Sequence, residues 1–184
     1  MTPLSIKELQ ESIAAGAQLE FLFFWGHKHS GNSVNKSCFS QWYESAFEVE
    51  GIRYKTAEHY MMTQKALLFG DNDIYEKILI AESPDEAKSL GRRVSGFKDD
   101  IWTSKSFDIV VRGNFEKFSQ NDPLKYFLLS TENKVLVEAS PVDPVWGIGL
   151  AADDEQAKNP FQWRGKNLLG FALMAVREKI KSKK

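Results

Sequence analysis

Phe47-Glu-Val-Glu-Gly51-Ile-Arg-Tyr54-Lys55-Thr56-Ala57-Glu58-His59-Tyr60-Met61-Met62-Thr63-Gln64-Lys65-Ala66 decides the fold class of this 184-residue chain. The first nine residues alternate on both sides of Gly51, the pattern of two short strands joined by a tight turn. Thr56 then stands as an N-cap, and the spacing predicts a helix from Ala57 to about Phe69. A hairpin feeding directly into a helix departs from the βαβ alternation of a Rossmann-type sheet and points to α+β.

Toward the N-terminus, Ser5 to Gly16 reads as a helix with Ile6, Leu9 and Ile13 on one face. Leu19 to Trp25 reads as a buried strand, and Gly26 to Ser37 as a polar loop. Toward the C-terminus, Ser83-Pro-Asp-Glu86 combines an N-cap, a Pro at the first helical position and a capping-box Glu. That helix is expected to reach about Val94. Asp99 to Phe118 is mostly helical, with a break expected near Trp102. Asp122-Pro123 opens a short helix ending near Ser130, and Lys134 to Ala139 is a strand. Ser140 to Lys166 is a long loop, and a final helix runs from about Gly165 to Ile180. The basic end, Lys179 to Lys184, reads as a frayed helix terminus rather than a binding arm. The sum is one mostly helical α+β domain over residues 1–184, with about six helices and four or five short strands. A loop as long as Ser140–Lys166 is usually functional, and Trp146 and Trp163 argue that it is ordered.

Composition narrows the function. Hydrophobic residues make up 42 % and charged residues 27 %, as in ordinary globular proteins. Lys plus Arg numbers 24 and Asp plus Glu 25, so the net charge of −1 gives no general attraction to nucleic acid or anionic membrane. A local basic patch is the only route to either. The single cysteine, Cys38, excludes an internal disulfide and any multi-cysteine metal centre. Phe21 to Trp25 is too short to span a bilayer. Lys7, Glu8 and Glu11 interrupt any secretory core, so a reducing, cytoplasmic or nuclear location is expected. Trp42, Trp146 and Trp163 lie beside Gly, Pro, Ser or Asn rather than at helical spacing. Such rings either line a pocket for a flat ligand or plug the core beneath loops.

The chain holds no Walker loop, dinucleotide fingerprint, His-Glu-x-x-His or Gly-x-Ser-x-Gly. His27-x-His29 offers two metal ligands at most, and an isolated pair in a polar loop is more often simply solvated, so no metal site is expected. Glu58, Met62 and Lys65 follow i, i+4, i+7 and share a helix face. Glu58 and Lys65 are then roughly 10 Å apart along the axis. They either meet one ligand together or stand as an acid and a base on a solvated face. In Leu136-Val-Glu138-Ala-Ser140-Pro-Val-Asp143-Pro-Val-Trp146-Gly147-Ile-Gly149, an acid and a Trp follow a strand on a glycine-containing loop. Asp143 there either serves a site at a strand end or caps a turn. Lys88 and Arg92, i and i+4 beside Gly91, form one candidate anion site. Arg164-Gly165-Lys166-Asn167, opening the last helix, forms another.

Taken in order, these blocks resemble the NADAR, or YbiA-like, family. The matching residues are Phe39-Ser40 with Trp42; Thr56-Ala57-Glu58-His59-Tyr60 with Gln64-Lys65-Ala66; and Ala87-Lys88-x-Leu90-Gly91-Arg92. After these come Trp102 and Gly113 to Phe118, then Leu136 to Ser140 with Asp143 and Trp146-Gly147-Ile148-Gly149. Gly165-x-Asn167-x-Leu169-Gly170 with Leu173-Met174 and Arg177 completes the set, which spans about residues 20–180. Gln41 stands where many members carry Asn, one methylene shorter.

The resemblance implies a YbiA-like α+β fold and an N-glycosidase acting on ribosyl compounds related to NAD and ADP-ribose. The substrates implied are ADP-ribosylated guanine bases, free or in nucleic acid, or ribosylamino intermediates of riboflavin synthesis. It implies catalysis by Glu58, Lys65 and Asp143, with Lys65 forming a Schiff base. It places Ser40, His59, Lys88, Arg92, Trp102, Trp146, Gly147 and Asn167 in substrate binding. No cofactor, metal, membrane or protein partner is implied. A neutral Lys65 amine requires burial or a neighbouring cation, whereas a late-helix position favours the ammonium. The rival reading is an ADP-ribose-binding module without catalysis, against which the pairing of Glu58 with Lys65 speaks.

Overall fold

The computed structural model describes residues 2–27 and 33–183. Among them the fold is α+β, with seven α-helices and four short strands. The contacts gather into two compact units, one of them Gln41–Asp122 and the other made from Met1–Ser40 with Pro123–Lys184.

The unit Gln41–Asp122 opens with the expected hairpin. Strands β2 (Phe47–Val49) and β3 (Ile52–Tyr54) are antiparallel, with Phe47 opposite Tyr54 and Val49 opposite Ile52. Glu50 and Gly51 both have positive φ, 53° and 80°, which gives the two-residue turn its type I′ twist. Helix α2 (Ala57–Leu68) follows, and Thr56 caps it by accepting the His59 N–H. Phe47, Val49, Tyr54, Ala57 and Tyr60 form one buried cluster of this unit. The Tyr54 and Tyr60 rings meet edge to face at 5.1 Å.

Helix α3 (Asn72–Ile80) was not expected from the sequence; Asp71 caps it. Helix α4 (Pro84–Gly91) starts at Ser83 as expected but stops at Gly91, short of Val94. Its capping-box Glu86 reaches back to the Glu82 N–H rather than to that of Ser83. Helix α5 (Asp99–Gln120) runs unbroken through Trp102, where a break was expected. Two glycines set the packing here. A Cβ on Gly91 would overlap the Met62 side chain, and one on Gly113 would overlap the Tyr60 ring. Both are points where helices press closely on α2.

The other unit begins with α1 (Ile6–Ala14), capped by Ser5. Its strands β1 (Phe21–Phe24) and β4 (Val135–Glu138) pair in parallel, Phe21 opposite Val135 and Phe24 opposite Glu138. Val135, Leu136 and Val137 are fully buried, the continuous apolar run of a strand covered on both faces. On β1 only Phe24 is buried; Phe21 to Phe23 are half-buried. Helix α6 (Asp122–Ser130) precedes β4, and α7 (Leu168–Ser182) packs on it. Gly170 makes that contact possible, since a Cβ there would strike the Leu136 carbonyl. The buried Arg177 donates to Thr131 Oγ1 at 2.8 Å and to the Lys134 carbonyl at 2.9 Å, tying α7 to the turn before β4.

Candidate active site

The first turn of α2 is built from polar groups that bind one another. Thr56 Oγ1 lies 2.8 Å from His59 Nδ1, and His59 Nε2 lies 3.2 Å from the Ala81 carbonyl. A carbonyl only accepts, so Nε2 carries the proton and Nδ1 accepts from the threonine hydroxyl. Burial holds His59 below the ordinary histidine range, and the ring is 1 % exposed. His59, expected to bind substrate, has both ring nitrogens engaged within the protein and pegs the start of α2.

Glu58, next to it, is buried at 5 % exposure, which removes the solvated-face reading of this carboxylate. Its N–H donates to the Gln41 carbonyl at 2.9 Å. The Gln41 side chain accepts from Asn114 Nδ2 at 2.7 Å, and the same amide donates to the Val110 carbonyl at 2.9 Å. The longer side chain at position 41 thus reaches α5 and anchors the segment that holds Glu58.

Two turns along α2, Lys65 is half-buried. Its Nζ stands 4.3 Å from the centre of the Phe97 ring and 5.6 Å from that of Trp102. Burial first, and the Arg92 guanidinium second, hold its ammonium below the ordinary lysine range. These two causes oppose the helix dipole, which on its own favours the charged form. Arg92 caps the end of α4 and is exposed, and Lys88 on the same helix places Nζ 5.6 Å from the Trp42 ring. Of the expected residues, the structure therefore brings Trp102 to the Lys65 amine, lets the charge of Arg92 act on it, and sets Lys88 on Trp42.

In the other unit, the expected site residues shape their own loop. Asp143 Oδ1 accepts the N–H groups of Val145 and Trp146 at 2.9 and 2.8 Å, the turn-capping alternative. A Cβ on Gly147 would come within 3.0 Å of the Glu138 and Asp143 carbonyls and of Ser140. Asn167 takes the left-handed conformation, φ 53°, and is fully buried. Its Oδ1 accepts the Glu138 N–H and its Nδ2 donates to the Leu136 carbonyl, both at 2.9 Å. The N–H groups of Lys166, Asn167, Leu168 and Leu169 donate to carbonyls of Pro144, Gly147, Val145 and Trp146. The start of α7, expected to hold phosphate, is filled by the protein's own loop. Ser40 ends a 3-10 turn, Lys36–Phe39, and Trp146 is half-buried. His29 of the His27-x-His29 pair lies outside the described residues. Among the described residues no three His, Cys, Asp or Glu side chains come together as a metal site, and no helix is long and apolar enough to cross a membrane.

The NADAR domain family matches residues 23–181, through both units. The chain belongs to the NADAR family. An N-glycosidase of Acanthamoeba polyphaga mimivirus is 45 % identical over 164 residues, 86 % of this chain and 95 % of that protein. The chloroplastic riboflavin biosynthesis protein PYRR of Zea mays is 38 % identical over 135 residues, 69 % of this chain and 20 % of that longer protein. The NMR structure of the E. coli protein YbiA superimposes with a TM-score of 0.72 at 28 % identity, covering 91 % of this chain and 88 % of that one. The activity class that membership in the NADAR family supports is that of an N-glycosidase, a hydrolase.

Within this NADAR chain, sequence reasoning passed over two features. Phe97 beside Gly96 has the same aromatic-next-to-glycine signal as the loop tryptophans. Asn114 and Lys117 interrupt the buried stripe of Val110, Val111, Gly113 and Phe118 on α5. Polar residues in such a stripe signal a buried network.

Proposed function

We propose that the chain hydrolyses the bond between ribose C1 and a base nitrogen in an ADP-ribose-type substrate such as ADP-ribosylated guanosine, with Lys65 as the nucleophile. One observation carries the reading: the Lys65 amine is half-buried among Phe97, Trp102 and Arg92, which lowers the cost of its neutral form. A module that only bound ADP-ribose has no use for a neutral amine.

In the reaction the furanose C1–O bond opens as the Lys65 nitrogen adds to C1, and one amine proton passes to the ring oxygen. The C1–N bond to the base breaks, and the base leaves with a proton supplied by the Glu58 carboxyl, which takes the second amine proton as the imine forms. The resulting imine takes up water at C1. The C1–N bond to Lys65 then breaks, the aldehyde recloses as ribose, and both amine and carboxyl are regenerated. Net, one water is consumed and the bond to the base becomes C–OH and N–H. Trp102 offers a face for the base, and Lys88 and Arg92 supply charge for a diphosphate.

The name of the maize relative supports a second substrate, a ribosylamino intermediate of riboflavin synthesis. Incubation of the protein with each compound, followed by mass analysis for released ADP-ribose or ribose phosphate, separates the two. Borohydride added during turnover reduces the imine to a secondary amine that maps to the peptide containing Lys65. Lys65→Arg traps nothing, because a guanidinium stays protonated. Absence of an adduct together with retained turnover in Lys65→Arg discards the amine mechanism in favour of carboxylate catalysis.

A further inference from the structure

Phe97, which closes one side of Lys65, belongs to no helix. It stands between α4 and α5, and at 42 % exposure its ring meets solvent as well as the amine. The segment that carries it is held firmly. Ser95 donates both its N–H and its hydroxyl to Asp71 Oδ2, each at 2.8 Å. Asp71 accepts the Ile74 N–H through Oδ1 at 3.1 Å, and its own N–H donates to the Ala66 carbonyl at 2.9 Å. The bonds from Ser95, backbone first, hold the Asp71 carboxyl below the usual carboxylate range, so this pin is in place at neutral pH. Gly96 then turns the chain at φ 67°, a conformation that side chains other than glycine rarely take. The Phe69 and Phe97 rings meet at 5.3 Å, which fixes the direction of the second.

We propose that Phe97 is a positioning residue for the Lys65 amine: carried on a loop pinned by Asp71, its ring shields one side of the nitrogen from water. The consequence for turnover rests on the reading of Lys65 as nucleophile; the effect on the amine does not. Two opposed influences act through the ring. Its face attracts an ammonium, which favours the charged form. Its bulk excludes water, which disfavours that form. The other groups around the amine are Arg92 from the end of α4 and Trp102 from α5. Glu58 lies two turns back on α2, and Asp71, at the head of α3, is engaged by Ser95 and Ile74. The half-buried amine stands 4.3 Å from the ring centre, so on that side the ring takes the place of water, and the hydration lost there outweighs the attraction of the face.

The test is an NMR titration of the Lys65 side chain in the folded protein without substrate, assigned with Lys65→Arg. In Phe97→Ala the midpoint rises toward the ordinary lysine range. In Phe97→Leu, which shields without a ring face, it stays at or below the wild-type value. In Ser95→Ala, which keeps Phe97 but loosens its pin, it rises less than in Phe97→Ala. Borohydride trapping in Phe97→Ala falls at pH 7 and recovers as pH rises, whereas a purely structural defect lowers it at every pH. An unchanged midpoint in Phe97→Ala, or a fall in both Phe97 variants, overturns the proposal. A midpoint that moves as stated in a protein that traps nothing refutes the nucleophile and leaves the shielding role standing.

Discussion

Glu58→Gln is the sharpest change at the scale of single residues. The amide is nearly isosteric and exchanges no proton at pH 7, so turnover is expected to fall by about 10² while the fold persists. Steady-state kinetics beside a circular dichroism spectrum checks this, and near-wild-type turnover removes the residue from the chemistry. Asp143→Asn keeps the oxygen that accepts from Val145 and Trp146 and deletes only the charge. A turn former predicts an unchanged Tm for this variant, and Asp143→Ala, which loses the acceptor, melts lower. His59 gives a pH dependence of stability. Burial holds it neutral in the folded state, below its unfolded value of about 6.5. As pH falls through that value the unfolded chain takes up the proton first, so stability complete above it drains away below. Between pH 7.5 and 5.5 the wild type is expected to lose more Tm than His59→Gln. Helical spacing alone was enough to put Glu58 and Lys65 on one face. It carried no trace of Phe97, whose contact crosses a loop, nor of the hydrogen bonds that make His59 part of the scaffold.

Among the elements, α7 depends on Asn167. Asn167→Ala strands the Glu138 N–H and the Leu136 carbonyl, each costing about 1–3 kcal/mol when buried without a partner. A chemical denaturation midpoint well below wild type is expected, with no such drop in the exposed control Lys166→Ala. Gly113→Ala drives a methyl into the Tyr60 ring and is expected to cost about 1–3 kcal/mol through overpacking. Most elements were legible because their signals are local. Thr56 and Ser83 announce α2 and α4, and Glu50-Gly51 announces its turn. Helix α3 was missed because its cap, Asp71, follows a glycine that also ends α2, so the two helices blur into one boundary. The break expected at Trp102 did not occur, since neither Pro nor Gly stands near it. The parallel pairing of β1 with β4 has no local signal at all: each strand alone is a short apolar run, and its partner is distant in sequence.

For the whole molecule, the net charge of −1 hides a pair of cations one turn apart at the end of α4, Lys88 and Arg92. A diphosphate substrate is therefore expected to show a KM that rises with salt, while kcat stays nearly constant. A neutral ribosyl nucleoside assayed in parallel is the control, and equal salt response of both denies these cations a role in binding. Because the proposed steps use only an amine, a carboxyl and water, turnover is expected to persist in excess EDTA. Loss on chelation, restored by one divalent metal, contradicts that chemistry. The discontinuous unit also sets an order of events during synthesis. Gln41–Asp122 is a continuous stretch, complete once its last helix has been made. Strand β1 is made early, yet its partner β4 emerges roughly a hundred residues later. At ribosomal speeds that is a wait on the order of 5–20 s. Throughout it Phe21 to Phe24 present an unpaired, aromatic edge. A nascent chain stalled before Val135 thus holds the whole of one unit and only an unpaired strand of the other, and arrest on either side of that residue should mark where protection of the N-terminal segment begins.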